Sequence, residues 1–371
     1  MQSRNHDFVA VAQKYAREAA GDKAGRKHGR LMRLAGKRFL ADMKRAKRRG
    51  APFVFDAEKA NDACEFIELL PHVEGVWDTP TIVLHPAQVF FIVQLFGFRK
   101  RDGSRRFTSA LFAVARKAGK STLAAAILLY CMCVENEPGA QVISAATTGS
   151  QARIIWNVAK RMVEKTPGLR EHLGLECWAN SISRMETGAS FKPINAKAST
   201  QDGLNPSHVG LDEIHAHKTA DLVNVLTSAA GARRSPLWLY TWSELRHFAR
   251  QVLDGVIEDA DHFLVVYFAV DDDDEDFDER AWVKANPLVE VNQNLLDAIR
   301  KEAIEARAMP GKLAEFRIKR LNRQSADAKA LIDIARWDKC RDPIDLDWLA
   351  QFPCWAAFDL SSTTDLTAPP T

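Results

Sequence analysis

A chain of 371 residues, 46% hydrophobic and 27% charged, has the composition of an ordinary globular protein and the length for two or three buried cores. Its longest apolar run, the twelve residues Leu123–Val134, is too short to span a bilayer, the first nine residues carry no apolar signal segment, and six scattered cysteines without a CxxC pair exclude a zinc ribbon and read as reduced core thiols. The net charge of +3 hides an uneven distribution: residues 1–50 hold fifteen Lys or Arg against four Asp or Glu, a balance of +11, which leaves −8 for the rest.

Residues 8–49 favour helix, with Val9, Ala12, Tyr15, Leu31, Leu34, Phe39 and Leu40 spaced among basic residues, and Gly21 and Gly25 divide the stretch in two. Its densest positive run is Lys44-Arg45-Ala46-Lys47-Arg48-Arg49. That run reads either as a solvated helix face or as a contact for nucleic acid or an acidic partner. An amphipathic helix is expected over residues 56–70, followed by Leu84-His85-Pro86-Ala87-Gln88. Strands and helices then alternate: strand 109–115, helix 121–134, strand 141–146, helix 150–165, and strands at 207–211, 237–242 and 263–268. This alternation predicts a mostly parallel sheet covered on both faces. The run Asp271–Asp276 reads as a solvated loop. Residues 287–323 read as helical with a break at Pro310-Gly311, residues 337–348 as a bridge, and residues 353–360 as a strand. The expected division is a basic helical arm at 1–55, an α/β domain at 56–270, a mostly helical linker at 271–350 and a single strand of a further domain at 351–371.

The segment Ala115-Arg116-Lys117-Ala118-Gly119-Lys120-Ser121-Thr122 carries the chemistry. A strand precedes it and a helix begins inside it, as a phosphate-binding loop requires, because backbone N–H groups at a helix N-terminus wrap phosphate oxygens. In that reading Lys117–Thr122 cradle ATP, Lys120 neutralises the β- and γ-phosphates and Ser121 places a hydroxyl on Mg²⁺. The usual loop has Gly where Val114 stands here. Downstream, the strand at His208–Leu211 ends in Asp212-Glu213. An acidic pair at the C-terminal end of a parallel strand lies where such sheets bind ligands. Asp212 is assigned to Mg²⁺ and Glu213 to the attacking water. A chance Gly-Lys-Ser and a solvated acidic turn are the plain alternatives. His208, His215 and His217 lack the HExxH spacing and read as packing or surface residues.

These motifs together resemble the large terminase subunit of tailed bacteriophages, the motor that packages DNA into proheads. The stretch around Gln88 is similar to that family's adenine-recognising glutamine motif. The loop at 115–121 is similar to its deviant phosphate loop, which also lacks the first Gly and has a basic residue at the place of Arg116. Ala145–Ala152, Asp202–Pro206 and Gly231–Pro236 resemble further family segments. The resemblance implies a phosphate-loop NTPase of the RecA-like (ASCE) kind, with a helical arm, a helical linker and an incomplete ribonuclease-H-like stub. It implies that Arg116 acts within the subunit on the γ-phosphate and that Arg233 or Arg234, in a loop before the 237–242 strand that reads as near the sheet edge where nucleotide binds, reaches a neighbour's ATP. It implies that Thr241, Trp242 and Ser243 couple hydrolysis to movement, although Trp242 reads equally as core. Asp359 would be the first metal-binding carboxylate of the nuclease, whose other strands the sequence does not supply, so no cleavage is expected. The implied partners are double-stranded DNA, the portal of the prohead, the small terminase subunit and further copies in a ring, in the cytoplasm of the infected host. A helicase, a small-molecule kinase and a catalytically idle assembly subunit are the competing readings.

Overall fold

The computed structural model describes residues 6–75, 77–135, 137–146, 148–195, 205–211, 233, 235–241, 245–257, 259–323 and 351. The chain divides into units at 1–325 and 326–371. Within the second only Gln351 is described.

Helices α1 (Phe8–Gly21) and α2 (Arg30–Ala46) open the first unit, followed by β1 (Phe53–Phe55), α3 (Ala57–Leu69), α4 (Pro86–Gly97) and β2 (Phe98–Lys100). The helix starts follow from capping chemistry. Asp7 accepts from the Ala10 N–H and Asp56 from that of Lys59. Gly36 lets α2 approach α1, since a Cβ there would lie 2.8 Å from the carbonyl oxygen of Ala16. Both helices share the main core through Phe8, Ala12, Tyr15, Met32, Ala35 and Phe39.

Then come β3 (Ser109–Ala113), α5 (Lys120–Cys133), β4 (Gln141–Ala146), α6 (Gly149–Glu164), α7 (Pro167–Leu173), β5 (Leu175–Cys177), β6 (Ile182–Arg184), β7 (Ala189–Asn195), β8 (His208–Leu211), β9 (Leu237–Tyr240), α8 (Arg246–Leu253) and β10 (Phe263–Tyr267). The strands form one sheet in the order β10-β3-β9-β8-β4-β7-β6-β5. The first six run parallel, and β6 pairs antiparallel with both of its neighbours, β7 and β5. Strands buried on both faces are continuous apolar runs, as the sequence of β3 and β10 shows. Ala110, Phe112, Leu264 and Val266 enter the larger core with α4 and α5. Leu111, Ala113, Phe263, Val265 and Tyr267 enter a smaller one with Leu31 of α2 and Ala249 and Val252 of α8.

The last elements are α9 (Glu279–Ala285), α10 (Gln293–Ala308) and α11 (Pro310–Arg320). The expected break at Pro310 is the first turn of α11, where proline is tolerated. These helices form a third core around Trp282, Leu295, Ile299 and Phe316, and Ala115 of the phosphate loop belongs to it.

The acidic run at 271–276 departs from the expected solvated loop. Asp271 pairs with Arg33, Asp272 with Arg246 and Arg250, Asp274 with Lys284, and Asp276 with Arg317 and Arg323. It is a hub that ties α2, α8, α9 and α11 together. Its partner Arg33 lies over two hundred residues away in sequence, so no local pattern could show the pairing.

Candidate functional site

Between β3 and α5 the chain makes a tight anion-accepting curl. Lys117 and Gly119 both take left-handed backbone conformations, with φ of 66° and 70°. For lysine this costs about 1 kcal/mol, and alternation of this kind turns successive N–H groups toward one point. Gly119 has no side chain and caps α5 without a side-chain hydrogen bond, so the start of this helix is backbone alone, as a phosphate-binding helix N-terminus requires. Lys120, Ser121 and Thr122 form the first turn of α5 and are half-buried, while Ala118 is buried and Arg116 and Lys117 are exposed. Val114 needs no glycine: it is not left-handed and its side chain joins the main core.

The structure brings the sequence-derived elements together at the C-terminal end of the strands. Lys120 Nζ donates to the carbonyl oxygen of Thr241 at 3.4 Å. The N–H and the hydroxyl of Thr241 both donate to the carbonyl oxygen of Leu211, each at 3.2 Å. Leu211 is the last described residue before Asp212. Asp212, Glu213, Arg234, Trp242, Ser243 and Asp359 lie outside the described residues, as do His215 and His217.

Gln88 is half-buried in the first turn of α4. Its Oε1 accepts from the backbone N–H of His85 at 3.0 Å, closing a capping box in which His85 Nδ1 accepts from the Ala87 N–H. The amide nitrogen is the end the box does not use.

Sequence reasoning missed the linker's grip on the loop. The N–H of Ala115 donates to the carbonyl oxygen of Ala285, and that of Arg116 to the carbonyl oxygen of Lys319. Arg320 Nη1 donates to the carbonyl oxygen of Arg116 at 3.2 Å, while Arg320 Nε pairs with Glu302 at 2.7 Å. The Arg320 hydrogen bond holds the Glu302 carboxyl below its ordinary value despite the opposing effect of burial. The only local sign of this was position: Arg320 follows the buried Phe316 by four residues, so it continues a buried helix face. A cavity of about 370 Å³ opens between the loop and these helices, lined by Arg116, Lys117, Glu302, Lys312, Phe316 and Lys319 among others.

Arg233 requires a correction. It was expected at the nucleotide edge, but a residue just before a parallel strand sits at that strand's N-terminal end, the opposite edge. There it is largely buried, donating to Asn205, to Glu137 at 3.1 Å and to the carbonyl oxygen of Gly139 at 3.1 Å. On the same edge Arg105, Glu135 and His208 form a buried cluster. Glu135, His208 and Cys131 offer metal-ligand atoms within 4.8 Å of one another, but the Arg105 guanidinium reaches all three and supplies the positive charge itself. Burial pushes the Glu135 carboxyl up, and Arg105, His208 and Arg99 more than reverse it, so it stays well below the usual range. His208 is a buried, hydrogen-bonded member of this cluster.

Two family models match this chain: terminase large subunit, ATPase domain, over residues 86–247, and terminase large subunit, endonuclease domain, over residues 257–369. The second match begins ahead of β10, which closes the same sheet as the phosphate loop. The large terminase subunit of Enterobacteria phage HK97 is 28% identical over 295 residues, covering 77% of this chain and 56% of that protein. The crystal structure of the HK97 large terminase superposes with a TM-score of 0.61 at 23% identity, covering 76% of this chain and 58% of that one. The large terminase of a thermophilic bacteriophage in complex with ATP-γ-S aligns at 16% identity and a TM-score of 0.29, over 44% of this chain and 40% of that one. The chain thus spans a little over half the length of the HK97 protein.

Proposed function

The chain belongs to the terminase large-subunit family, and from that premise we propose that it is the ATP-hydrolysing motor subunit that drives double-stranded DNA into a prohead. The observation that carries this reading is the phosphate loop between β3 and α5, with Lys120 held against the end of β9 and, through Thr241, the end of β8. A helix N-terminus, a lysine and the ends of two parallel strands meet at one edge, which is the arrangement that binds and cleaves a nucleoside triphosphate.

In this reading Lys117–Thr122 hold the phosphates and Gln88 reads the adenine with its amide nitrogen. Ser121 and Asp212 hold Mg²⁺, and a hydroxyl and a carboxylate are the hard oxygen donors that this ion takes. The bound ion would neutralise phosphate charge during transfer. Glu213 orients the attacking water, and Arg116, exposed at the loop, reaches the γ-phosphate within the subunit. Thr241, with Trp242 and Ser243 after it, carries the change in phosphate contacts into β9, since its carbonyl already accepts from Lys120. Of the two arginines, Arg234 rather than Arg233 is proposed to act on a neighbour's nucleotide, because Arg233 is already engaged by Asn205, Glu137 and the carbonyl oxygen of Gly139. Asp359, inside the endonuclease match, is proposed as a metal-binding carboxylate. The proposed partners are duplex DNA, the portal of the prohead, the small terminase subunit and further copies in a ring, in the host cytoplasm. No described helix is long and apolar enough to cross a membrane.

The test is steady-state ATP hydrolysis by the purified chain, alone, with duplex DNA, and with duplex DNA and proheads. Turnover that rises with each addition supports a packaging motor. Turnover indifferent to DNA and proheads would leave an unrelated phosphate-loop hydrolase, and no turnover under any condition an idle assembly subunit.

A further inference from the structure

We propose that the C-terminal end of α2 and the adjoining two-stranded β1–β2 sheet form a docking surface for the phosphate backbone of duplex nucleic acid, at the end of the molecule opposite the nucleotide edge. This deepens the packaging reading and rests on it.

The structure sorts the basic residues of α2 and its surroundings into two sets. Arg30, Arg33, Arg45 and Arg106 are paired with Asp254, Asp271, Asp261 and Asp42. Lys44, Lys47, Arg48, Arg49, Lys100 and Arg101 are exposed, and among the described residues none of them has an ion pair. They are contiguous in space. Arg101 Nε donates to the carbonyl oxygen of Ala51 at 2.7 Å, and Lys100 stands opposite Phe53 in the β1–β2 ladder. The single acid of these two segments, Asp102, turns its carboxylate onto Ser104 through the backbone N–H and the hydroxyl. Six exposed cations thus lie close together with no ion pair among the described residues, although the same region pairs its other arginines.

The occupant follows from what the face lacks. A protein interface is centred on apolar or aromatic anchors in desolvated pockets. Here Val54, just over a third exposed, is the one exposed large hydrophobic residue of β1 and β2. A surface of charge without an apolar centre suits a polyanion with regularly spaced phosphates, read without base contacts. Position adds to this. The N-terminal end of α2 is held at the nucleotide edge, where the Arg30 N–H and the Arg33 guanidinium donate to Asp271. Its 17 residues span about 25 Å to the basic end. Contact with DNA would therefore load a rigid helix seated beside the linker that grips the phosphate loop.

The experiment uses the full chain and a fluorescein-labelled 30-base-pair duplex, with anisotropy read between 50 and 200 mM salt. Neutralising Lys44, Lys47, Arg48 and Arg49 to Gln should weaken binding at least about tenfold at 100 mM salt and flatten the slope of log affinity against log salt by about 3 to 4. A Lys100→Gln/Arg101→Gln variant should do the same to a smaller extent, and an Arg48→Lys/Arg49→Lys variant should retain binding. Neutralising the exposed Arg17, Lys23 and Arg26 controls for net charge and should leave the slope unchanged. Basal ATP hydrolysis should match wild type in every variant, which shows that each folds. Unchanged affinity and slope in the fourfold variant overturn the surface but leave the motor reading standing. Duplex binding kept while prohead binding is lost overturns it in favour of an acidic protein. A wild-type chain with no affinity for duplex overturns both this surface and the packaging function.

Discussion

The guanidinium of Arg320 donates to the carbonyl oxygen of Arg116 at 3.2 Å, and the N–H of Arg116 donates to the carbonyl oxygen of Lys319 at 2.9 Å, so one turn of α11 holds the first basic residue of the phosphate loop from both sides. Arg320 is almost fully buried and also engages Glu302. A lysine could keep one of these contacts but not both, because it lacks the planar fork. Arg320→Lys should therefore raise the KM for ATP about tenfold, a loss of roughly 1.4 kcal/mol, with a near-wild-type melting temperature. Arg320→Ala should add a fall in melting temperature, since it removes a buried side chain that bonds both Glu302 and the Arg116 carbonyl oxygen. A lysine variant with wild-type KM would show that the linker's grip does not shape the nucleotide site.

Lys120→Ala should abolish hydrolysis and weaken ATP binding, because the phosphates lose their main cation and the contact from α5 to Thr241 disappears with it. Glu213→Gln should keep binding while stopping turnover. Both are read by equilibrium binding of a fluorescent ATP analogue beside a phosphate-release assay. Wild-type turnover in Glu213→Gln would remove that residue from water activation.

Gln88→Ala should raise the KM for ATP and erode the preference over GTP, since an amide can match the adenine edge only while it is held in place. The capping box makes a second effect expected. The variant loses the hydrogen bond to the His85 N–H, so α4 should lose about 1 kcal/mol of stability. A melting-temperature fall without any change in ATP/GTP discrimination would assign Gln88 to capping alone.

What the sequence disclosed and what it concealed divide along a physical line. Five strands of the sheet were legible because buried parallel strands are continuous apolar runs, and the strand at Gln141–Ala146 was placed to the residue, whereas β5, β6 and β7 were not expected. The phosphate loop was legible because its chemistry is local: a strand, a Gly-Lys-Ser and a helix within a dozen residues. The grip of Arg320 on Arg116 and the pairing of Asp271 with Arg33 were not, because each joins residues over two hundred positions apart. Position relative to strand direction was available and was misapplied to Arg233. Residues before β9 must lie at the start of that strand, away from the edge where β3 ends.

Glu135→Gln should destabilise the fold by about 3 kcal/mol at neutral pH, because it leaves the fully buried Arg105 without its counter-charge. The Glu135 carboxyl is held below its ordinary value of 4.5. Its stabilising contribution is therefore complete above pH 4.5 and declines as pH falls from there toward the folded-state value. Urea unfolding of both chains should show a constant gap from pH 8 to about 5 that narrows below pH 4.5. A gap that widens on acidification would mean that Glu135 is neutral in the folded protein.

Arg233 and Arg234 are adjacent in sequence, yet they are expected to fail in different ways. Arg233 donates to Asn205, Glu137 and the carbonyl oxygen of Gly139, so it fastens the entry to β8 onto the entry to β4. Removing it leaves Glu137 without its ion pair and the Gly139 and Asn205 oxygens without its donors. Arg233→Ala should lower stability by about 2 to 3 kcal/mol and reduce ATPase activity only in proportion to the unfolded fraction. Arg234→Ala should leave the melting temperature unchanged and abolish the stimulation of turnover that follows ring assembly on proheads, since a subunit that lacks the trans arginine cannot stabilise charge on its neighbour's transferring phosphate. Mixing separates the two. In mixed rings Arg234→Ala and Glu213→Gln subunits should restore part of the activity, because an Arg234→Ala site with intact Glu213 can face a Glu213→Gln neighbour that still supplies its arginine. Arg233→Ala, once folded at low temperature, should need no such partner. Restoration by Arg233→Ala alone, with none by Arg234→Ala at any ratio, would return the trans role to Arg233 and require it to leave its buried partners during the cycle.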